Sequence, residues 1–353
     1  MGGNQAGFCS LHQNSQGCLY MLLNYIIRRC LQLIPMLFAA SALIFFIINL
    51  PPGDFLTTYI QQLELAGTSV DAAEIFNLQR QFGLDRTPVE QYFMWITNIV
   101  TRLDFGLSFQ WNMPVADIIQ ERIGWTLIIS MLSLILTYLI AVPVGIYAAT
   151  RQYSVGDYIV TFIGFIGMAV PGFLLALILV YTIFVHTGVA FIGLFSSEFA
   201  NAPWSVARFM HMLPRLGLVV VIIGLTGTAG MIRTMRAMTL DELQKQYVTT
   251  ARAKGLKEGA LLVKYPIRMA VNPIVSTVGW TLPALISGEV VVSIVMNMPT
   301  IGPLMRGAFM AQDMFLAGSM MLFIATLTIV GTLVSDILLA LLDPRIKFGG
   351  VAE

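Results

Sequence analysis

Charge is what this 353-residue sequence has least of: 11% of its residues are Asp, Glu, Lys or Arg, against 57% hydrophobic. Soluble domains carry roughly 25% charged residues, so an ordinary water-soluble fold with a charged surface is excluded. The formal net charge of +1 excludes the basic surplus that a nucleic-acid partner demands. Cysteines number three, and Cys9, Cys18 and Cys30 match no zinc or thioredoxin spacing, so they read as unpaired thiols. His12, His186 and His211 are scattered and form no metal set. No charged stretch followed by an apolar one opens the chain, so residues 1–20 are not a signal peptide. Ala6 stands where a myristoylation signal needs Ser or Thr. No Gly-x4-Gly-Lys-Ser/Thr phosphate loop occurs anywhere, which excludes ATP hydrolysis of the P-loop type.

Long apolar runs fill the space that charge leaves. A hydrocarbon core of about 30 Å takes roughly 20 apolar residues in a helix. Six stretches qualify, near Leu31–Leu50, Trp125–Ala149, Tyr158–Val185, Leu213–Ile232, Ile274–Val295 and Phe315–Leu341. The fold class is an all-α integral membrane protein of six transmembrane helices, with a small external region after the first. Pro35, Pro143, Pro171 and Pro283 fall inside four of the stretches and predict kinks. Residues 1–20 read as a polar extension before Met21, 21–50 as the first span, 51–124 as an external cap and 125–345 as a five-helix core. A cytoplasmic loop at 233–273 interrupts that core, and 346–353 form a tail.

Every lysine (Lys245, Lys254, Lys257, Lys264 and Lys347) falls on the side that holds both termini, with Arg28, Arg29, Arg151, Arg233, Arg236, Arg252, Arg268 and Arg345. The positive-inside bias makes that side cytoplasmic. Trp95, Trp111, Trp125 and Trp204 lie in or beside external segments, where indole rings favour the headgroup level. The external region predicts helices around Ala72–Phe82 and Pro88–Leu103, the second presenting Tyr92, Trp95, Ile96 and Ile99 on one face.

The stretch Arg233–Pro273 is the most informative. Thr239-Leu-Asp-Glu242 has the pattern of a capping box, followed by a helix with Leu240, Leu243 and Tyr247 on one face. Gly255 follows the basic Arg252 and Lys254, as expected of a left-handed C-terminal position. A second short helix ends near Pro266. Such a helix–turn–helix is either a solvated basic loop or a rigid docking element that transmits a partner's movement.

Tyr247-Val-Thr-Thr-Ala-Arg-Ala-Lys-Gly-Leu256 resembles the signature loop of the permease subunits of binding-protein-dependent ABC importers, in the dipeptide/oligopeptide/nickel branch. Thr249, Thr250, Ala251 and Gly255 occupy the positions of the family's Glu-Ala-Ala-x3-Gly motif, and Thr249 stands where the branch has Arg. Arg28-Arg29 with Pro35, then Pro52-Gly-Asp54, Phe82-Gly-Leu-Asp-Arg86, Leu103-Asp-Phe-Gly-Leu-Ser-Phe109, and Asp336 with Leu342-Asp-Pro-Arg345, are similar to the branch's markers in the same order.

The resemblance implies a non-catalytic membrane subunit of the bacterial inner membrane that forms half of a translocation pathway for a peptide-like solute. Oligosaccharides and nickel complexes are the alternative cargoes. It implies a second homologous permease, usually a different chain, two cytoplasmic ABC ATPases and an external solute-binding protein. The chain itself would bind no cofactor, since ATP and Mg serve the ATPases. The coupling residues implied are Tyr247, Thr249, Thr250, Ala251, Arg252, Ala253, Lys254 and Gly255.

Two acids fall within the spans. An ionised carboxylate near mid-bilayer costs several kcal/mol, roughly 3 or more. Glu289 therefore lines the pathway or hydrogen-bonds the partner permease, whereas Asp336 is structural, capping or pairing with a basic residue. Gly224, Gly227 and Gly230 mark close helix packing or a hinge. An ion-driven secondary transporter needs matching midplane acids in both halves, and Glu289 has none in the first half. An intramembrane enzyme needs a paired catalytic set that the spans do not contain.

Overall fold

The computed structural model describes residues 15–50, 60, 80 and 86–342. The expected helix over Ala72–Phe82, the segments Pro52-Gly-Asp54 and Phe82-Gly-Leu-Asp85, most of the polar extension, and the ending from Asp343 with its tail lie outside the described residues. Among the described residues all regular elements are helices. They are α1 (Ser15–Ile48), α2 (Pro88–Arg102), α3 (Val115–Thr150), α4 (Val155–Ala169), α5 (Gly172–Thr187), α6 (Val206–Leu243), α7 (Gln246–Ala253), α8 (Glu258–Lys264), α9 (Pro266–Ser276), α10 (Val278–Val295), α11 (Ile301–Met310) and α12 (Met314–Leu342). Five of them (α1, α3, α6, α10 and α12) contain stretches long and apolar enough to cross a bilayer. The bent pair α4 and α5 makes a sixth if it counts as one crossing.

That pair corrects the expectation of one continuous span over Tyr158–Val185, because α4 and α5 meet at 100°. The break falls at a proline: proline disfavours the helical region for the residue before it, and Val170, ahead of Pro171, sits at φ −91 ψ 117. Pro35, Pro143 and Pro283 remain inside α1, α3 and α10. The fifth stretch is likewise divided, at Thr277 between α9 and α10. The capping box at Thr239 is not formed. Residues 239–242 are the continuing end of α6, where earlier turns already supply carbonyl partners, and the buried Thr239 hydroxyl donates to Met235 O at 2.8 Å.

Helices α3 and α6 form the central pair. Ser133 Oγ donates to Val220 O at 3.4 Å and Thr137 Oγ1 to Gly224 O at 3.0 Å, and Gly145 backs onto Ile232 O. The offset of 87 residues in both hydrogen bonds shows that the two helices run in the same direction. A Cβ on Gly224 would come within 3.0 Å of Leu136, and one on Gly227 within 3.3 Å of Leu285, so these glycines are packing positions. Helix α12 runs antiparallel to α1: Arg29 pairs with Asp336 at 3.3 Å, while Gly318 lies beside Ile48. It also packs closely on α10, where a Cβ on Gly279 would collide with Ser335.

The bundle has two unlike ends. At one, which we call the cap end, α2 starts with a formed capping box between Thr87 and Glu90. It lays Tyr92, Trp95 and Ile99 into a core with Ile44, Phe45 and Phe315, each large side chain contributing about 1.5–3 kcal/mol by burial. Trp95 is therefore buried against Phe45 rather than placed at a headgroup surface. The loop before α6 is wound on one face of that helix. Arg208 lies over the Phe195 and Trp204 rings, His211 stacks on Phe199, and Arg215 donates to Ile192 O at 2.9 Å. The start of α1, the end of α12 and the segment α7–α9 lie at the opposite end.

Candidate functional site

Between α6 and α9 the chain makes a compact elbow with its own small core, in which Val248, Ala251 and Leu261 are buried, with Leu256 and Tyr265 packed against them. Gly255 takes φ +78, the left-handed region that only glycine adopts without strain. Leu256 N donates to Ala251 O at 3.4 Å and Gly255 N to Arg252 O at 3.0 Å. These two bonds make a Schellman motif, and the Leu256–Ala251 contact is the apolar pairing that accompanies it. The turn is thus fixed by three features of the sequence: a glycine, an alanine four residues earlier and a leucine just after.

Around that turn, Arg252 donates to Glu258 through Nε to Oε1 at 2.5 Å and Nη2 to Oε2 at 3.3 Å, bridging α7 and α8. The hydrogen bond from Arg252 holds the Glu258 carboxyl below its ordinary pKa. Tyr247 donates its hydroxyl to the Glu242 carboxylate, tying α7 to the end of α6. Burial, and after it this carboxylate, raise the phenol above its ordinary pKa. Of the eight signature residues, only Ala251 is buried; Tyr247, Thr249, Thr250, Arg252, Ala253, Lys254 and Gly255 face outward. A rigid interior carries an exposed, basic, hydroxyl-bearing rim.

A cavity of about 410 Å³ lies between α6 and α10, lined by Thr226, Gly227, Gly230, Thr234, Thr281 and Trp280 among others. Three of the hydroxyls are already donated along their own helices, Thr226 to Ile223 O, Thr234 to Gly230 O and Thr281 to Thr277 O. Their free lone pairs therefore present acceptors to the cavity. Trp280 is exposed at its edge. Nothing in the sequence singled out this strip, because isolated threonines in apolar helices carry no distinctive spacing.

Glu289 does not enter that cavity. Its neighbour Gly288 lines it, while Glu289 is fully buried in this chain, beside Ser293 and Thr300, where α10 meets the start of α11. Neither carboxyl oxygen, nor Thr300 Oγ1, makes a hydrogen bond among the described residues. Asp336 pairs with Arg29, joining the two helices nearest the chain ends.

Two acids that sequence reading passed over are better partnered. Asp157 receives a two-pronged contact from Arg236, with Nε–Oδ1 and Nη2–Oδ2 both at 2.8 Å, and also accepts from Tyr153 N. Asp313 accepts from Ser108 Oγ at 2.6 Å, Gln110 N at 3.1 Å and Leu316 N at 3.1 Å. It gives the Leu103–Phe109 marker a physical role: Gly106 turns at φ +92 against the Phe315 ring so that Ser108 reaches the first turn of α12. A separation of 205 residues hides this contact from any local pattern.

The model of the family described as binding-protein-dependent transport system inner membrane component matches residues 141–348, a range that includes the elbow and the cavity. The N-terminal model of the same membrane components matches residues 22–131. The oligopeptide transport system permease protein AppB of Bacillus subtilis (strain 168) is 34% identical over 92% of this chain and 99% of its own. The glutathione transport system permease protein GsiC of Escherichia coli (strain K12) is 32% identical over 93% of this chain and 100% of its own. In fold, the chain is similar to an inward-facing structure of the MetNI methionine ABC transporter, with a TM-score of 0.51 at 15% identity over 64% of this chain and 96% of that one. The chain therefore belongs to the inner-membrane components of binding-protein-dependent transport systems, the non-catalytic permease subunits of ATP-driven importers.

Proposed function

We propose that this subunit supplies half of a translocation pathway for a peptide-like solute and that the elbow is where cytoplasmic ATPases engage it. The observation that carries the coupling role is the elbow's construction: a self-contained core, a Schellman turn at Gly255, and signature residues left exposed for a partner. A lever must be stiff to move what it is attached to, and Tyr247–Glu242 attaches this one directly to α6.

Six crossings follow if α4 and α5 count as one. The elbow end, with Arg151, Arg233 and four of the five lysines, is then the cytoplasmic face by the positive-inside bias, and both termini lie on it. Residues 51–124 form the external cap, and residues 125–345 form the core around the coupling loop 233–273. The partners are a second, homologous but different permease, two ATPases that use the ATP and Mg, and an external solute-binding protein. The peptide-like cargo rests on the oligopeptide and glutathione relatives, and the threonine strip supplies acceptors suited to peptide N–H groups. Glu289, buried where α10 meets the start of α11 and turned away from the threonine-lined cavity, is not a contact for the cargo.

The test is uptake in vesicles reconstituted with the partner subunits and ATP. Deletion of Thr249–Gly255 is expected to abolish uptake while membrane insertion stays intact. Normal uptake by the deletion would remove the elbow from the mechanism.

A further inference from the structure

A second cleft opens on the opposite face of α6, between α3, α4 and α6. Its deep part, about 360 Å³, is walled by Ile140, Val144, Ile163, Leu225 and Ile232, and closes at Val170, where α4 breaks. It shares Gly164 with an outer cavity of about 220 Å³ that ends at Arg233 and Arg236. Arg236 is neutralised by Asp157. Arg233 is exposed and makes no ion pair with any described residue. The cleft is thus mostly apolar in its deep part, where Thr226 and Thr228 are the polar wall residues, and it carries Thr161 and one uncommitted cation toward its mouth.

Its depth in the bilayer follows from α6. Residues 216–232 carry no charge, a length of about 26 Å that nearly matches the hydrocarbon core of about 30 Å. Arg233 therefore sits at headgroup level, and the cleft from Leu225 to Ile232 spans the adjoining leaflet alone. An extended peptide there would bury backbone polar groups with no partners. An uncharged apolar guest would leave Arg233 without a counter-ion.

We propose that this cleft holds an acyl chain of a phospholipid whose anionic headgroup rests on Arg233. Each part of the cleft has a counterpart in that molecule: an aliphatic chain for the apolar walls and a phosphate-bearing headgroup for the guanidinium. The cleft adjoins the threonine-lined cavity at Thr226, which lines both, but does not depend on the elbow's role. Basic pockets between helices at the cytoplasmic face take anionic headgroups on the same physical grounds.

Native mass spectrometry of the assembled importer in mild detergent tests this, with phosphatidylglycerol and phosphatidylcholine of identical chains added separately. Wild type is expected to retain phosphatidylglycerol about fivefold more tightly, the effect of a single basic side chain at a membrane surface. Arg233→Gln is expected to equalise the two lipids while still retaining both. Gly164→Phe, at a glycine whose Cβ position is open space, is expected to plug the cleft and reduce retention of both. Equal retention of the two lipids by wild type, or undiminished retention by a correctly assembled Gly164→Phe, would overturn the site. If Gly164→Phe does not assemble, wild type with a phospholipid photoreactive at its chain end decides. Labelling within α3, α4 or α6 at the cleft supports the site. Labelling confined elsewhere overturns the site, and cross-linking of Ile163→Cys to the partner permease assigns the cleft to the protein interface instead.

Discussion

The cap end and the elbow solve opposite problems with similar residues. At the cap end, Asp313 is buried and reaches across 205 residues to Ser108, the loop before α6 is wound on Arg208, His211 and Arg215, and α2 shares one core with α1 and α12. The elbow keeps its apolar side chains to itself and meets the bundle through Tyr247–Glu242 and the run of α8 into α9. Its one ion pair is exposed on both sides. One end is knitted into the bundle, so loosening it loosens the bundle. The other is a separate body on a short mount, so it can be displaced as a unit.

The sharpest way to break this contrast is inside the elbow. Leu261→Asp puts a carboxylate into a core of three buried side chains, and ATP-driven uptake is expected to fall more than tenfold. The thermal midpoint of the detergent-solubilised chain should barely move, and a matching loss of both would mean that the elbow is not a separate unit. Asp313→Ala is expected to do the reverse. It strands Ser108 Oγ, Gln110 N and Leu316 N, at roughly 3 kcal/mol or more. A lowered midpoint, read by differential scanning fluorimetry, should accompany unchanged amide exchange in residues 246–264.

Smaller changes sharpen the elbow's geometry. Gly255→Ala keeps the turn at a strain cost of about 1 kcal/mol, so uptake should persist at a reduced rate. Gly255→Pro, fixed near φ −65 where the turn needs +78, should abolish it. The smallest effect concerns acid. Glu258 has a depressed pKa, so its pairing with Arg252 contributes above the unfolded value of 4.5 and is lost as pH falls through the lower folded value. Amide protection around Arg252 and Glu258, corrected for intrinsic exchange at each pH, should fall as pH drops through the folded value below 4.5 and lose that pH dependence in Glu258→Gln.

Much of this was legible because bilayers and turns impose local rules. The apolar runs located α1, α3, α6, α10 and α12, the Tyr92–Trp95–Ile99 face identified α2, and a glycine after basic residues marked the turn at Gly255. The Thr239 pattern misled because capping signatures describe helix starts, and here the preceding span continued through it. Pro171 was visible as a kink, but whether a proline bends or breaks a helix depends on what the neighbours supply, and that is not local. Asp313, Asp157 and the side to which Glu289 turns were hidden for the same reason: each is decided by a residue far away in the chain.

Helix α6 is continuous over 38 residues, about 57 Å of helix, with Pro214 in its first third as the one interior proline. At one tip it bears the aromatic loop around Phe195, Phe199 and Trp204, and at the other it abuts Tyr247. A tilt imposed at one tip therefore has a helical path to the other, with no intervening loop to dissipate it. Under the proposed topology and coupling role, events on the two faces of the membrane would meet in a single helix.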